Sequence, residues 1–165
     1  MKRRPDIARR VRVVHLVRDP RAIYASRRGL RWCTKNKDCN SPQALCAQLR
    51  NDVDAFEELA RWVGPNRSHQ LRFEDLTANV VNETMLLYSK LGLEYGPSVY
   101  EYLKIHTKAR PKDLKNDHST IRNTQLVAHT WKRKLAMKTI LSIQRTCNHT
   151  LVRLGYKLLS EEEVH

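Results

Sequence analysis

Apolar positions along the chain fall into blocks of different period. Residues 11–17, Val-Arg-Val-Val-His-Leu-Val, form a short β-branched run, the pattern of a buried strand in a parallel sheet. Asp19-Pro20 follows at once. Asp is a good N-cap and Pro fits the first helical position, so a helix is predicted over 20–28. Residues 31–41 read as a loop holding Cys33 and Cys39. Ser41-Pro42 restarts a helix by the same logic. Leu45, Leu49, Val53, Phe56, Ala60 and Val63 then recur at three- and four-residue spacing, until Gly64-Pro65 stops it. His69 to Phe73 read as a second short strand. Val81, Met85, Leu87, Tyr88 and Leu91 mark a third helix ending at Gly92. Pro97 to Ile105 predict a short helix, and residues 106–124 a polar, basic loop. A last helical stretch covers about 125–154, broken near Lys134 and closed by Gly155. Ile140, Ile143, Cys147, Leu151 and Leu154 line one face of it.

Two strands and four or five helices, with a strand-turn-helix at the start, predict an α/β fold. Two short strands are too few for a sheet with a complete core. The expectation is therefore that residues 1–165 are the C-terminal portion of a single larger domain. No apolar run approaches the ~18 residues needed to cross a bilayer, and no apolar stretch follows the basic N-terminus.

Charge narrows the function. The chain has 31 Lys and Arg against 17 Asp and Glu, a net +14. Residues 1–31 carry a net +9, residues 51–103 a net −5, and residues 104–157 a net +11. Two basic segments flanking an acidic middle suit an anionic ligand if they converge. A basic nucleic-acid-binding module is one alternative, but Trp32, Trp62 and Trp131 are dispersed and no binding motif occurs. The five glycines, Gly29, Gly64, Gly92, Gly96 and Gly155, form neither GxGxxG nor GxxxxGK[ST].

The most informative segment is Val17-Arg18-Asp19-Pro20-Arg21-Ala22-Ile23-Tyr24-Ala25-Ser26-Arg27. Arg18 stands at the carboxyl end of the predicted strand, the edge where open α/β sheets bind ligands. The helix start favours an anion, and Ser26 lies two turns beyond Asp19 on the same face. A guanidinium fork and a hydroxyl there suit a phosphate. The alternative is an Arg paired to a neighbouring carboxylate and a Ser on a helix surface.

Arg18-Asp19-Pro20-Arg21-Ala22 with Ser26-Arg27 resembles the 3′-phosphate-binding motif of the Golgi carbohydrate sulfotransferases. The closest group is the 6-O-sulfotransferases acting on N-acetylglucosamine, galactose or N-acetylgalactosamine. The resemblance continues through Leu71-Arg72-Phe73-Glu74-Asp75-Leu76, Thr120-Ile121-Arg122-Asn123, Trp131-Lys132-Arg133 with Leu135, and Cys147 with Leu154-Gly155-Tyr156-Lys157. It implies a P-loop-type sulfotransferase fold, here without the N-terminal strand and its glycine- and serine-containing phosphosulfate loop. It also implies the donor 3′-phosphoadenosine 5′-phosphosulfate, no metal, a glycan acceptor rather than nucleic acid, and the Golgi lumen. The family's membrane anchor would belong to the missing N-terminal region. By resemblance Arg18 and Ser26 bind the donor's 3′-phosphate, and Arg122 and Trp131 belong to the part that closes over the donor. The implied function is sulfate transfer to a sugar hydroxyl. A non-catalytic fragment that binds a glycan or a partner is the second alternative.

A base for the sugar hydroxyl is required. His69, His106, His118, His129 and Glu74 offer it by type, and spacing selects none of them. Cys33, Cys39, Cys46 and Cys147 contain no CxxC pair, so zinc is not indicated, and they allow three disulfide pairings or buried free thiols. Asn66, Asn82 and Asn148 begin N-glycosylation sequons, with Asn148 inside a predicted helix.

Overall fold

A computed structural model describes residues 4–111, 113 and 119–160. The chain divides into two compact units. One comprises Met1–Val17 and Glu57–Ala128, the other Arg18–Phe56 and His129–His165.

The first unit holds the sheet. Strands β1 (Val13–Val17) and β2 (Ser68–Arg72) pair in parallel, with Val13 opposite Ser68 and Val17 opposite Arg72. The predicted parallel pairing is therefore present. The strand itself is covered on one face only: Val17 is buried, while Val14 is 40% and Leu16 54% exposed. A short helix α1 (Pro5–Ala8), which no periodicity announced, precedes β1. Gly64, at φ 92, turns the chain from the long helix α4 (Pro42–Val63) into β2 through a 3-10 turn at Pro65–Arg67.

Helix α5 (Phe73–Ala78) begins where the second strand was expected to end, so Phe73 is helical. Arg72 explains the early switch. Its Nε and Nη2 donate to the two carboxylate oxygens of Asp75, each at 2.7 Å, drawing the backbone into a turn straight after the strand. Asn79 joins α5 to α6 (Val80–Leu91). Gly92, at φ 65, ends α6 in the left-handed conformation, and Leu93 N donates to Tyr88 O at 2.8 Å. Helix α7 (Pro97–His106) follows.

The second unit is helical. Helix α2 (Pro20–Arg28) sits among α3 (Arg31–Thr34), a 3-10 turn at Asp38–Asn40, α9 (Trp131–Lys134) and α10 (Met137–Arg153). The expected loop 31–41 thus carries two short helical turns. Helix α4 belongs to this unit as far as Phe56, and α8 (Thr124–His129) ends within it. The break near Lys134 falls at Leu135-Ala136, where the backbone turns extended. Ile140, Ile143, Cys147, Leu151 and Leu154 are all buried, as the apolar stripe requires. All four cysteines are paired, Cys33 with Cys39 and Cys46 with Cys147. The second bridge ties α4 to α10 and closes a loop 101 residues long, for which chain-entropy arguments give about 4.7 kcal/mol.

Candidate functional site

The strand-helix junction is built around buried charge. Asp19 caps α2 as its sequence predicts, its Oδ1 accepting from Arg21 N at 2.8 Å. The same carboxylate also receives the Arg21 side chain, from Nε to Oδ1 at 2.9 Å and from Nη2 to Oδ2 at 2.7 Å. Both residues are buried, Asp19 at 4% and Arg21 at 2% exposure. Arg21 also donates through Nη1 to Gln144 Oε1 and through Nη2 to Lys157 O at 3.0 Å. Gln144 in turn clamps the segment after α10: its Nε2 donates to Leu159 O at 3.0 Å, and Leu159 N donates to its Oε1 at 2.8 Å. The Trp131 ring lies under the Arg21 guanidinium, 4.5 Å from its centroid, completing a cation–π stack. A buried carboxylate is tolerable only with such compensation.

Of the sequence-predicted residues, Arg18, Ser26 and Trp131 lie in the second unit and Arg122 in the first. Arg18 is half-buried at the start of the junction, and Ser26 is exposed on α2. Trp131 is 3% exposed, a core residue whose face is taken by Arg21. Arg122 anchors the loop after α7. Its N donates to His106 O at 3.1 Å, and its Nη1 donates to Asp113 O and Ile121 O, each at 3.1 Å. The alternative of Arg18 serving a structural carboxylate has a counterpart three residues on, where Arg21 fills that role.

The base candidates are dispersed. His69 on β2 accepts from the Lys90 ammonium at Nδ1, 3.3 Å away. Burial, and secondarily the Lys90 charge, hold its pKa below the ordinary 6.5, with Glu83 pulling the other way. His106 stacks on Tyr102 at 3.9 Å and meets the Thr120 hydroxyl at 3.3 Å. His129 is exposed, Glu74 lies in the first turn of α5, and His118 lies outside the described residues. No cluster of three or more metal-ligating side chains occurs among the described residues. No helix among them is long and apolar enough to cross a membrane.

Residues 7–97, more than half of the chain, match the sulfotransferase family. The chain belongs to this family. Among curated proteins it is similar to carbohydrate sulfotransferase 1 of Rattus norvegicus, 28% identical over 93% of this chain and 40% of the relative. It is likewise similar to carbohydrate sulfotransferase 5 of Homo sapiens, 28% identical over 92% of this chain and 41% of the relative. Carbohydrate sulfotransferase 3 of Mus musculus is 26% identical over 90% of this chain and 34% of the relative. The chain thus spans about two fifths of the length of the curated relatives it matches first. No solved structure matches it significantly. The carbohydrate sulfotransferase resemblance read from the motifs is borne out.

Within this sulfotransferase chain, the residues that sequence reasoning missed are the supporting ones. Gln144 carried a legible signal: it is a polar residue four positions after Ile140 and three before Cys147, on the apolar stripe of α10. Arg21 carried none, because two residues of spacing from Asp19 does not announce a buried ion pair.

Proposed function

We propose that this chain carries the 3′-phosphate-binding part of a carbohydrate sulfotransferase that moves sulfate from 3′-phosphoadenosine 5′-phosphosulfate to a sugar hydroxyl, the 6-OH of N-acetylglucosamine or galactose. The observation that carries the reading is the Arg18–Ala22 motif at a strand-to-helix turn, inside a sequence that matches the sulfotransferase family. Arg18 and Ser26, both of the second unit, hold the donor's 3′-phosphate. The residues fit such an anion: Asp19, the one carboxylate at the start of α2, is already neutralised by Arg21. Trp131 serves through Arg21, which it backs.

In the reaction a sugar oxygen attacks sulfur in line, the bond from sulfur to the phosphate oxygen breaks, and the sugar proton passes to a base. Positioning and electrostatics do most of such work. The 3′-phosphate clamp grips a remote part of the donor, so its binding energy is useful only when spent on orienting the reacting end. The fold in this reading is of P-loop type. The loop for the 5′-phosphosulfate is not among these 165 residues, since no pair of the five glycines is spaced to build it. That absence favours a second reading, a chain that binds donor or glycan without transferring sulfate by itself. The Golgi lumen is the proposed compartment, supported by the two disulfides, which persist in oxidising surroundings.

The test is calorimetric titration of adenosine 3′,5′-bisphosphate into the chain. Arg18→Ala is expected to weaken binding by roughly 1.5–3 kcal/mol, the range for a hydrogen bond to a charged group. Unchanged affinity in the variant refutes the clamp.

A further inference from the structure

The first unit contains a cavity of about 500 Å³ between the α5–α6 joint, α7 and the start of α8. That volume lies in the range of about 300–1,000 Å³ typical of small-molecule sites. Tyr100 and Lys104 stand one helical turn apart on α7, and therefore on one face, with Lys108 a further turn along the chain. Asn79 contributes from the α5–α6 joint, and Asn123 and Gln125 from the opposite wall.

The wall is held in shape. Asn123 Oδ1 accepts from Ala109 N at 2.9 Å, which orients its amide, and Gln125 Nε2 donates to Ala78 O at 3.5 Å. Tyr100 is 44% exposed, so a face of its ring is open to a ligand. Among the described residues, two lysines and no carboxylate line the cavity. Lys104 meets Glu101 only at 3.6 Å, with both side chains more than half exposed, an ion pair too weak to hold it from an anion.

A half-open aromatic ring, amides that both donate and accept, and two ammonium groups match one chemical class. Sugars present a C–H face to an aromatic ring and hydroxyls to amides, and charged sugars add an anion for lysine. We propose that this cavity holds an anionic sugar residue of the acceptor glycan, Tyr100 packing on the ring and Lys104 and Lys108 meeting its sulfate or carboxylate. The assignment of the ligand as acceptor rests on the sulfotransferase reading above; the cavity's chemistry does not.

The experiment titrates the whole chain with three tetrasaccharides: a sulfated N-acetyllactosamine, its unsulfated counterpart, and hyaluronan, which bears carboxylates only. The variants are Tyr100→Ala, the pair Lys104→Gln with Lys108→Gln, and a charge-matched control, Lys35→Gln with Lys37→Gln. The sulfated and carboxylated probes separate the two kinds of anion. The lysine pair is expected to lower the affinity of at least one anionic probe roughly tenfold, a few-fold per exposed ion pair, and to leave the neutral probe unchanged. Tyr100→Ala is expected to weaken every probe that binds. Failure of all three to bind, equal loss in the control pair, or no effect of Lys104 and Lys108 overturns the proposal. Adenosine 3′,5′-bisphosphate is titrated in parallel. If it fails to bind while the lysine effect stands, the donor reading falls and the cavity remains. If it binds through Arg18 and the lysines are silent, only the cavity proposal falls.

Discussion

Arg21 shows how one residue of the Arg18–Ala22 segment is spent on structure. Its guanidinium makes contacts to Asp19, Gln144 and Lys157, and stacks on Trp131, all within the second unit. Removing it leaves the Asp19 carboxylate buried without its cation. Arg21→Ala is therefore expected to destabilise the chain by about 3–5 kcal/mol, the cost of breaking a buried pair from one side. Arg21→Lys should recover only part, because an ammonium lacks the planar fork that meets both carboxylate oxygens. Urea unfolding followed by tryptophan fluorescence reads both, Trp131 being in contact with the site of change. A loss below 1 kcal/mol for the Ala variant would mean that the network relaxes or admits water.

Between elements, β2 and α6 meet through a titratable pair. His69 on the strand faces Lys90 on the helix, and burial comes first in holding its pKa below 6.5, with the Lys90 charge second and Glu83 opposing. The folded state therefore keeps His69 neutral at pH values where the unfolded chain has already bound a proton. Stability from this source is fully present above pH 6.5 and is lost as pH falls from there through the lowered folded value. The urea midpoint of the chain should drop on acidification from neutral pH, and His69→Gln should flatten that part of the profile. Identical slopes for both proteins would remove His69 from the account.

For the molecule as a whole, the question is which part of the chemistry these residues supply. In the proposed reading the Arg18 motif binds the donor at its 3′ end. A developing oxyanion on the leaving phosphate needs preorganised donors, and losing even one such donor costs about 10²–10³ in rate. No glycine-rich turn able to present a group of backbone N–H donors occurs in the 165 residues. The purified chain is therefore expected to bind adenosine 3′,5′-bisphosphate yet show no detectable labelled-sulfate transfer to N-acetylglucosamine- or galactose-terminated acceptors. Turnover at the level of ordinary enzymes would show that the phosphosulfate is held by residues assigned no role here.

Much of the fold was legible because its causes are local. Asp19-Pro20 and Ser41-Pro42 mark helix starts by capping and fixed φ, and Gly64, Gly92 and Gly155 mark ends at positive φ. The stripe of α10 follows from the 3.6-residue period. The strand boundary at Phe73 escaped because Arg72 and Asp75 bind side chain to side chain, a choice that propensity does not encode. The strand-to-helix junction around Arg18 was legible as a string of residue types, since a β-branched run followed by Asp-Pro ends a strand and starts a helix. Tertiary structure alone decided the rest. It chose one cysteine pairing of three, because Cys46 and Cys147 meet only when α4 and α10 pack. It also divided the arginines: contacts 123 and 136 residues away in sequence turned Arg21 into a buried cation, and no local pattern registers partners that distant.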